Sequence, residues 1–167
     1  NTGSHSNEVT VPEVFIEAIA DNGWAIGVSY IPTRSMGSKS RKDTNSDGDT
    51  GTYKAEAELA NVLQLYADVD VPMIGYPIYV KLGAQHVTLK TLESLNSGTT
   101  YPDKDILGFT VGLGTKGDLP YGADNMYYKA EVTYTEFESY NEMGSAQNKL
   151  EADFEDTAAK ISIGYKF

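Results

Sequence analysis

Residues 159–167 read Ala-Lys-Ile-Ser-Ile-Gly-Tyr-Lys-Phe, and this stretch decides the fold. Every second residue, Ala159, Ile161, Ile163, Tyr165 and Phe167, is apolar or aromatic, while Lys160, Ser162, Gly164 and Lys166 between them are polar or small. Strand side chains point alternately to two faces, so this is a strand with one greasy side and one wet side. A final aromatic with no polar tail is an odd choice for the strand of a soluble sheet. Where a strand meets lipid, interfacial aromatics are expected.

The same period of two recurs upstream. Over residues 9–20, Val14, Ile16, Ala18 and Ala20 share one face, and Pro12 delays the start of the ladder. Asp21-Asn22-Gly23 supplies hairpin-turn chemistry. Trp24, Ile26, Val28 and Tyr30 then face out over Ala25, Gly27 and Ser29. Residues 32–52 have no apolar period and read as a protruding loop or as two strands extending past a membrane. Residues 53–71 read as one long strand, with Tyr53, Leu59, Leu63, Leu65 and Val69 on one face and Asn61 as its polar break. Ile78, Val80, Leu82 and Ala84 face out next, with an expected shift near His86 from a bulge. Further outward sets are Leu107, Phe109, Val111 and Leu113, then Met126, Tyr128, Ala130, Val132 and Tyr134. Short connections alternate with long ones, as in an up-and-down barrel. About seven strands are visible; an even count requires an eighth, upward one, which lies upstream of Asn1, comes from another chain, or is uncounted within residues 140–156.

The 167-residue chain suffices for one domain: residues 1–8 read as a flexible N-terminal segment and 9–167 as a single barrel domain. Its mean hydropathy of −0.37 looks soluble, and no stretch approaches the roughly 18 apolar residues of a membrane helix. Neither fact opposes a barrel, in which only alternate residues face lipid. A net charge of −11 argues against nucleic acid as a partner. The absence of cysteine removes disulfide and thiolate-metal chemistry. Sixteen glycines and twelve tyrosines suit a β-rich chain.

The Tyr-Lys-Phe ending, with apolar residues running back from it two apart, resembles the closing strand of bacterial outer-membrane β-barrels, and the whole is similar to small eight-stranded OmpA-like proteins. The resemblance implies an all-β, antiparallel up-and-down transmembrane barrel in the outer membrane, exported by a signal peptide that is not in this chain. It implies that Ile161, Ile163, Tyr165 and Phe167 are read by the barrel-assembly machinery. Membrane lipid and lipopolysaccharide are the implied surroundings, with a homo-oligomer or a partner strand as ways to close the barrel. The expected role is non-enzymatic and structural, or surface interaction through long loops. A narrow pore for small solutes is the alternative, and an envelope lipid-modifying enzyme is the third reading. A soluble lipocalin-like barrel would instead turn its apolar face inward.

Several residue sets are candidates for chemistry. Glu17, Lys54, Glu56, Glu58, Lys81, Lys129, Glu131 and Lys160 fall on inward positions and form an expected lumen charge network, since buried charges need partners. In an eight-stranded interior such a network fills the lumen; an ion path is the other reading. Asp43, Asn45, Asp47 and Asp49, with Gly48 in sixth place, resemble the first half of a calcium loop. Lys54 occupies the twelfth place, where a bidentate Glu belongs, so the alternatives are a reduced calcium site and a solvated acidic turn. His86-Val-Thr88 is similar to the His-x-Ser pair of some lipid A deacylases, without a recognisable acid. Arg34, Lys39, Arg41 and Lys42 could meet lipopolysaccharide phosphates or simply be solvated.

Overall fold

The computed structural model describes residues 8–44, 50–73, 75–94, 102–120, 125–143 and 149–166. The described residues form ten strands: β1 Val14–Ile19, β2 Ala25–Ile31, β3 Arg34–Thr44, β4 Thr50–Met73, β5 Tyr76–Ser94, β6 Lys104–Asp118, β7 Met126–Phe137, β8 Tyr140–Met143, β9 Lys149–Ala152 and β10 Glu155–Tyr165. Seven follow one antiparallel path, β1-β2-β4-β5-β6-β7-β10, and β3 pairs with β4 beside it. This sheet is curled into a half-barrel, and β8 and β9 form a separate ribbon. Among the described residues, β1 pairs only with β2 and β10 only with β7, so the curl is open along one side.

Turn chemistry sets the two ends. Gly23, at φ 86°, donates its N–H to the Ala20 carbonyl, and Asn22 Oδ1 accepts from the Trp24 N–H at 3.1 Å. That hairpin joins β1 to β2. Gly75, at φ 73°, serves the β4–β5 turn. These connections and the β6–β7 connection share the short-turn end. Longer segments, including the β3–β4 hairpin and the β8–β9 ribbon, gather at the other, the long-connection end. Residues 32–52 thus follow the two-strand reading rather than the loop reading.

Strand β4 departs from the expected single period. Leu59, Ala60 and Val62 are each fully buried, whereas Leu63 and Leu65 are 50% and 60% exposed. Asn61, at φ 53°, sits between them, and the β4–β5 register shifts between Ala60 and Leu63. One extra residue in a strand exchanges its two faces. After Asn61, odd-numbered residues face outward; before it, they face inward. The alternation of β5 itself continues through His86, with Tyr79, Lys81, Gln85, Val87 and Leu89 buried on one face; the bulge expected there lies on the partner strand, where Leu63 pairs with His86 and Ala60 with Thr88. What changes there is the chemistry of the buried face, from polar to apolar.

A non-glycine residue in the left-handed region costs about 1–2 kcal/mol, and Asn tolerates it best. Asn61→Val is therefore expected to lower stability by about that amount, and Asn61→Gly to be neutral or slightly stabilising. Denaturation midpoints in detergent measure both; an unchanged Val variant would mean that Asn61 does not fix the bulge.

Candidate functional site

The two faces of the sheet have opposite chemistry. The convex face carries apolar residues in lateral rows. Ile26, Ala67, Leu82, Val111 and Tyr134 are successive register partners across β2, β4, β5, β6 and β7. Phe109 is 64% exposed and Ile161 89%. The concave face carries Ser29, Gln64, Asp68, Lys81, Gln85, Thr110, Lys129, Glu131, Thr133 and Thr135, all buried. Side chains from distant strands meet there because the sheet is curled.

Lys129 on β7 is the hub. Its Nζ donates to Asp68 Oδ2 at 2.6 Å and to Glu17 Oε2 at 2.8 Å. Lys81 lies 3.1 Å from Glu131 Oε2 and 3.4 Å from Asp68 Oδ1. Lys160 pairs with Glu13 at 2.8 Å and stands 4.0 Å from Glu131. Three tyrosines complete the carboxylate shells. Tyr66 donates to Glu17 at 2.7 Å, Tyr127 to the other oxygen of Glu17 at 2.8 Å, and Tyr79 to Glu131 at 2.7 Å. Lys81 Nζ also lies 3.6 Å from the centre of the Tyr66 ring, a cation–π distance.

Each of these rings crosses a glycine. Tyr66 is the register partner of Gly27, Tyr79 of Gly114, and Tyr127 of Gly164. A Cβ on Gly27, Gly114 or Gly164 would come within 2.4, 2.4 or 2.2 Å of the facing ring. The glycines let the rings lie flat across the neighbouring strand, which carries the hydroxyls inward to the carboxylates. These pairs form only across strands, so no spacing along the chain shows them.

Toward the long-connection end, Gln64 and Gln85 both donate to Thr110 Oγ1, at 3.1 and 3.0 Å, and the Thr110 and Thr135 hydroxyls meet at 2.7 Å. Beyond them lies an apolar cluster of Ile31, Leu59, Val62, Val87, Leu89, Ile106 and Phe137, against which Val11, Ala57 and Phe154 pack. At the short-turn end, Lys116 pairs with Asp70 at 2.8 Å and donates to the Gly23 carbonyl. The concave face is thus layered: ion pairs, then hydroxyls and amides, then hydrocarbon.

Of the expected charge network, Glu17, Lys81, Lys129, Glu131 and Lys160 come together. Lys54, Glu56 and Glu58 do not: they precede the Asn61 bulge and lie on the face away from the buried Leu59, and Lys54 instead pairs with Glu56 at 3.1 Å. Asp68 and Glu13 are members that the sequence reading left out. Asp68 shares its parity with Gln64 and Tyr66, which follow Asn61 and face inward with it.

Ile161, Ile163 and Tyr165 line the convex face of β10; Phe167 lies outside the described residues. In the calcium-like stretch, Asp43 pairs with Gly51 in the β3–β4 hairpin, and Asn45, Asp47 and Asp49 lie outside the described residues. Arg34 faces inward and donates to Asp156 at 2.9 Å, so it is engaged rather than offered to phosphate. Thr88 donates to Asp105 Oδ1 at 2.7 Å, while His86 Nε2 stands 4.0 Å from the other oxygen. Asp105 is the acid that the sequence did not reveal. Its carboxylate receives the hydroxyl directly, so the arrangement lacks the hydroxyl-to-imidazole bond that activates a nucleophile.

No family model matches the sequence, and no curated protein or solved structure matches it.

Proposed function

We propose that this chain is a non-enzymatic integral outer-membrane β-barrel protein with a plugged polar interior, acting as a structural or surface-interaction element. The observation that carries this reading is the inverted polarity of the sheet: hydrocarbon on the convex face, paired charges on the concave one. Water favours the reverse arrangement, because burying ions is costly and burying hydrocarbon is favourable. A bilayer reverses the demand on the outer face. In this reading lipid and the lipid part of lipopolysaccharide contact the apolar rows, and β10 is the strand offered to the assembly machinery. The β3–β4 hairpin and the β8–β9 ribbon stand at the exposed end as contact surfaces.

The layers on the concave face support a plugged interior over a pore. Lys129, Lys81 and Lys160 are all held by carboxylates, and the apolar cluster beyond them offers no polar path.

The protein is expected to partition with membranes, to require detergent for extraction, and to show heat-modifiable gel mobility. A chain that stays soluble without detergent would overturn the membrane reading. In planar bilayers, no steady conductance is expected; steady single-channel openings would replace the plug by a pore.

A further inference from the structure

The reversed polarity of the sheet stops part-way along the strands. Toward the long-connection end, the outward series on β6 runs Leu113, Val111, Phe109, Leu107 and then Asp105. On β5, Leu82 and Ala84 are followed by His86, Thr88 and Lys90. On β7, Val132 and Tyr134 are followed by Glu136, the register partner of Glu155 on β10. The concave face changes at the same level in the opposite sense. Val87 lies between His86 and Thr88, Ile106 between Asp105 and Leu107, and Phe137 next to Glu136; all three are buried in the apolar cluster. Hydrocarbon turns inward where charge turns outward.

Strand β4 makes the same change through its backbone. Without the extra residue at Asn61, Leu59 would continue the outward series of Leu63 and Leu65, and Glu58 would point into the interior. The bulge exchanges the faces, so Leu59 is fully buried and Glu58 lies on the outer side, opposite Lys90. Two tyrosines sit on the line of change with their hydroxyls turned across it. Tyr30 donates to Asn61 Oδ1 at 3.4 Å, and Tyr134 to Glu155 Oε2 at 3.1 Å, both rings being partly exposed. A ring against hydrocarbon with its hydroxyl in a polar layer is the arrangement a membrane–water interface selects.

We propose that the hydrocarbon boundary of the membrane crosses the sheet at this level, through Asn61, His86 and Glu136. The strand ends beyond it stand in water as a β-unit with an apolar core of its own. Charge outside and hydrocarbon inside is what water selects, so the same strands meet two solvents in turn. The height agrees. Tyr76, outward at the short-turn end of β5, and His86 are ten residues apart. At ~3.3 Å per residue and a ~40° tilt, that is ~25 Å, the height of the apolar band of membrane barrels. The inference rests on the membrane-barrel reading and deepens it: it divides the surface into a part for lipid and a part for soluble partners. It also gives the Asn61 bulge a role, that of matching β4 to the change of solvent.

The sequence has no cysteine, so single introduced ones report their own positions. V111C, F109C, D105C and K90C each place an environment-sensitive fluorophore on an outward site. Each labelled chain is folded into phosphatidylcholine vesicles with brominated acyl chains, and heat-modifiable gel mobility checks that it has folded. V111C and F109C are expected to show blue-shifted emission that the brominated chains quench. D105C and K90C are expected to show water-like emission, quenched by aqueous iodide and untouched by the brominated chains. Quenching by brominated chains at all four sites would overturn the boundary and leave the membrane reading standing. Iodide quenching at all four, V111C included, would overturn the membrane reading and the boundary with it.

Discussion

Replacing Lys129 by methionine is expected to be the most damaging single change in the concave face. Methionine keeps an unbranched stem of similar length and removes only the charge. Among the described residues, Asp68 then retains Lys81 at 3.4 Å as its remaining cation, and Glu17 retains the hydroxyls of Tyr66 and Tyr127. Asp68 is 1% exposed and Lys129 3%, so water cannot take the place of the ammonium. Breaking a buried ion pair on one side costs about 3–5 kcal/mol, because a charge is left uncompensated. A denaturation series in detergent micelles or vesicles measures this. Combining Lys129→Met with Asp68→Asn should recover part of the loss, since the second change removes one stranded charge. A single-mutant loss under about 1 kcal/mol, the range of solvated pairs, would mean that the interior is wet and the plug reading is wrong.

Val111→Arg on the convex face is the second large effect, and it distinguishes the two possible solvents. Val111 is 53% exposed, with Leu82 and Tyr134 as its register neighbours in the apolar rows. In water, an arginine at an exposed strand position is nearly neutral. At the middle of a bilayer it costs about 2–4 kcal/mol, falling to about 0–1 near the interfaces. Leu92, also outward but nearer the long-connection end, supplies the comparison. Folding into vesicles should therefore be impaired strongly by V111R and little by L92R. Equal, small effects at both positions would place the convex face in water.

Much of the fold is legible in the chain. The alternation in residues 159–167 and its recurrences mark the main strands, because side-chain direction in a strand has a period of two whatever the neighbours are. Asn22-Gly23 marks the tightest hairpin for an equally local reason. Asn61 was visible as an interruption, but its meaning was not. The side-chain period counts residues, and one residue in the left-handed conformation reverses the count. That reversal removes Lys54, Glu56 and Glu58 from the charge network.

The candidate site is less legible. That Glu17, Lys81, Lys129, Glu131 and Lys160 belong to one face follows from alternation. That Lys129 bridges Asp68 and Glu17, rather than Glu131, depends on the register of strands far apart in the sequence. The tyrosine–glycine pairs are invisible along the chain for the same reason.

The sequence by itself determined an antiparallel sheet with one apolar and one charged face, because both follow from local alternation and turn chemistry. Only the tertiary structure decided how the sheet's curl joins carboxylates, ammoniums and tyrosine hydroxyls into a single network. It also decided that β1 and β10 face each other in parallel across an open cleft. Strand direction at a seam is set by the number of reversals between the two edges and by which connection passes to which end. No single stretch, including residues 159–167, carries that information.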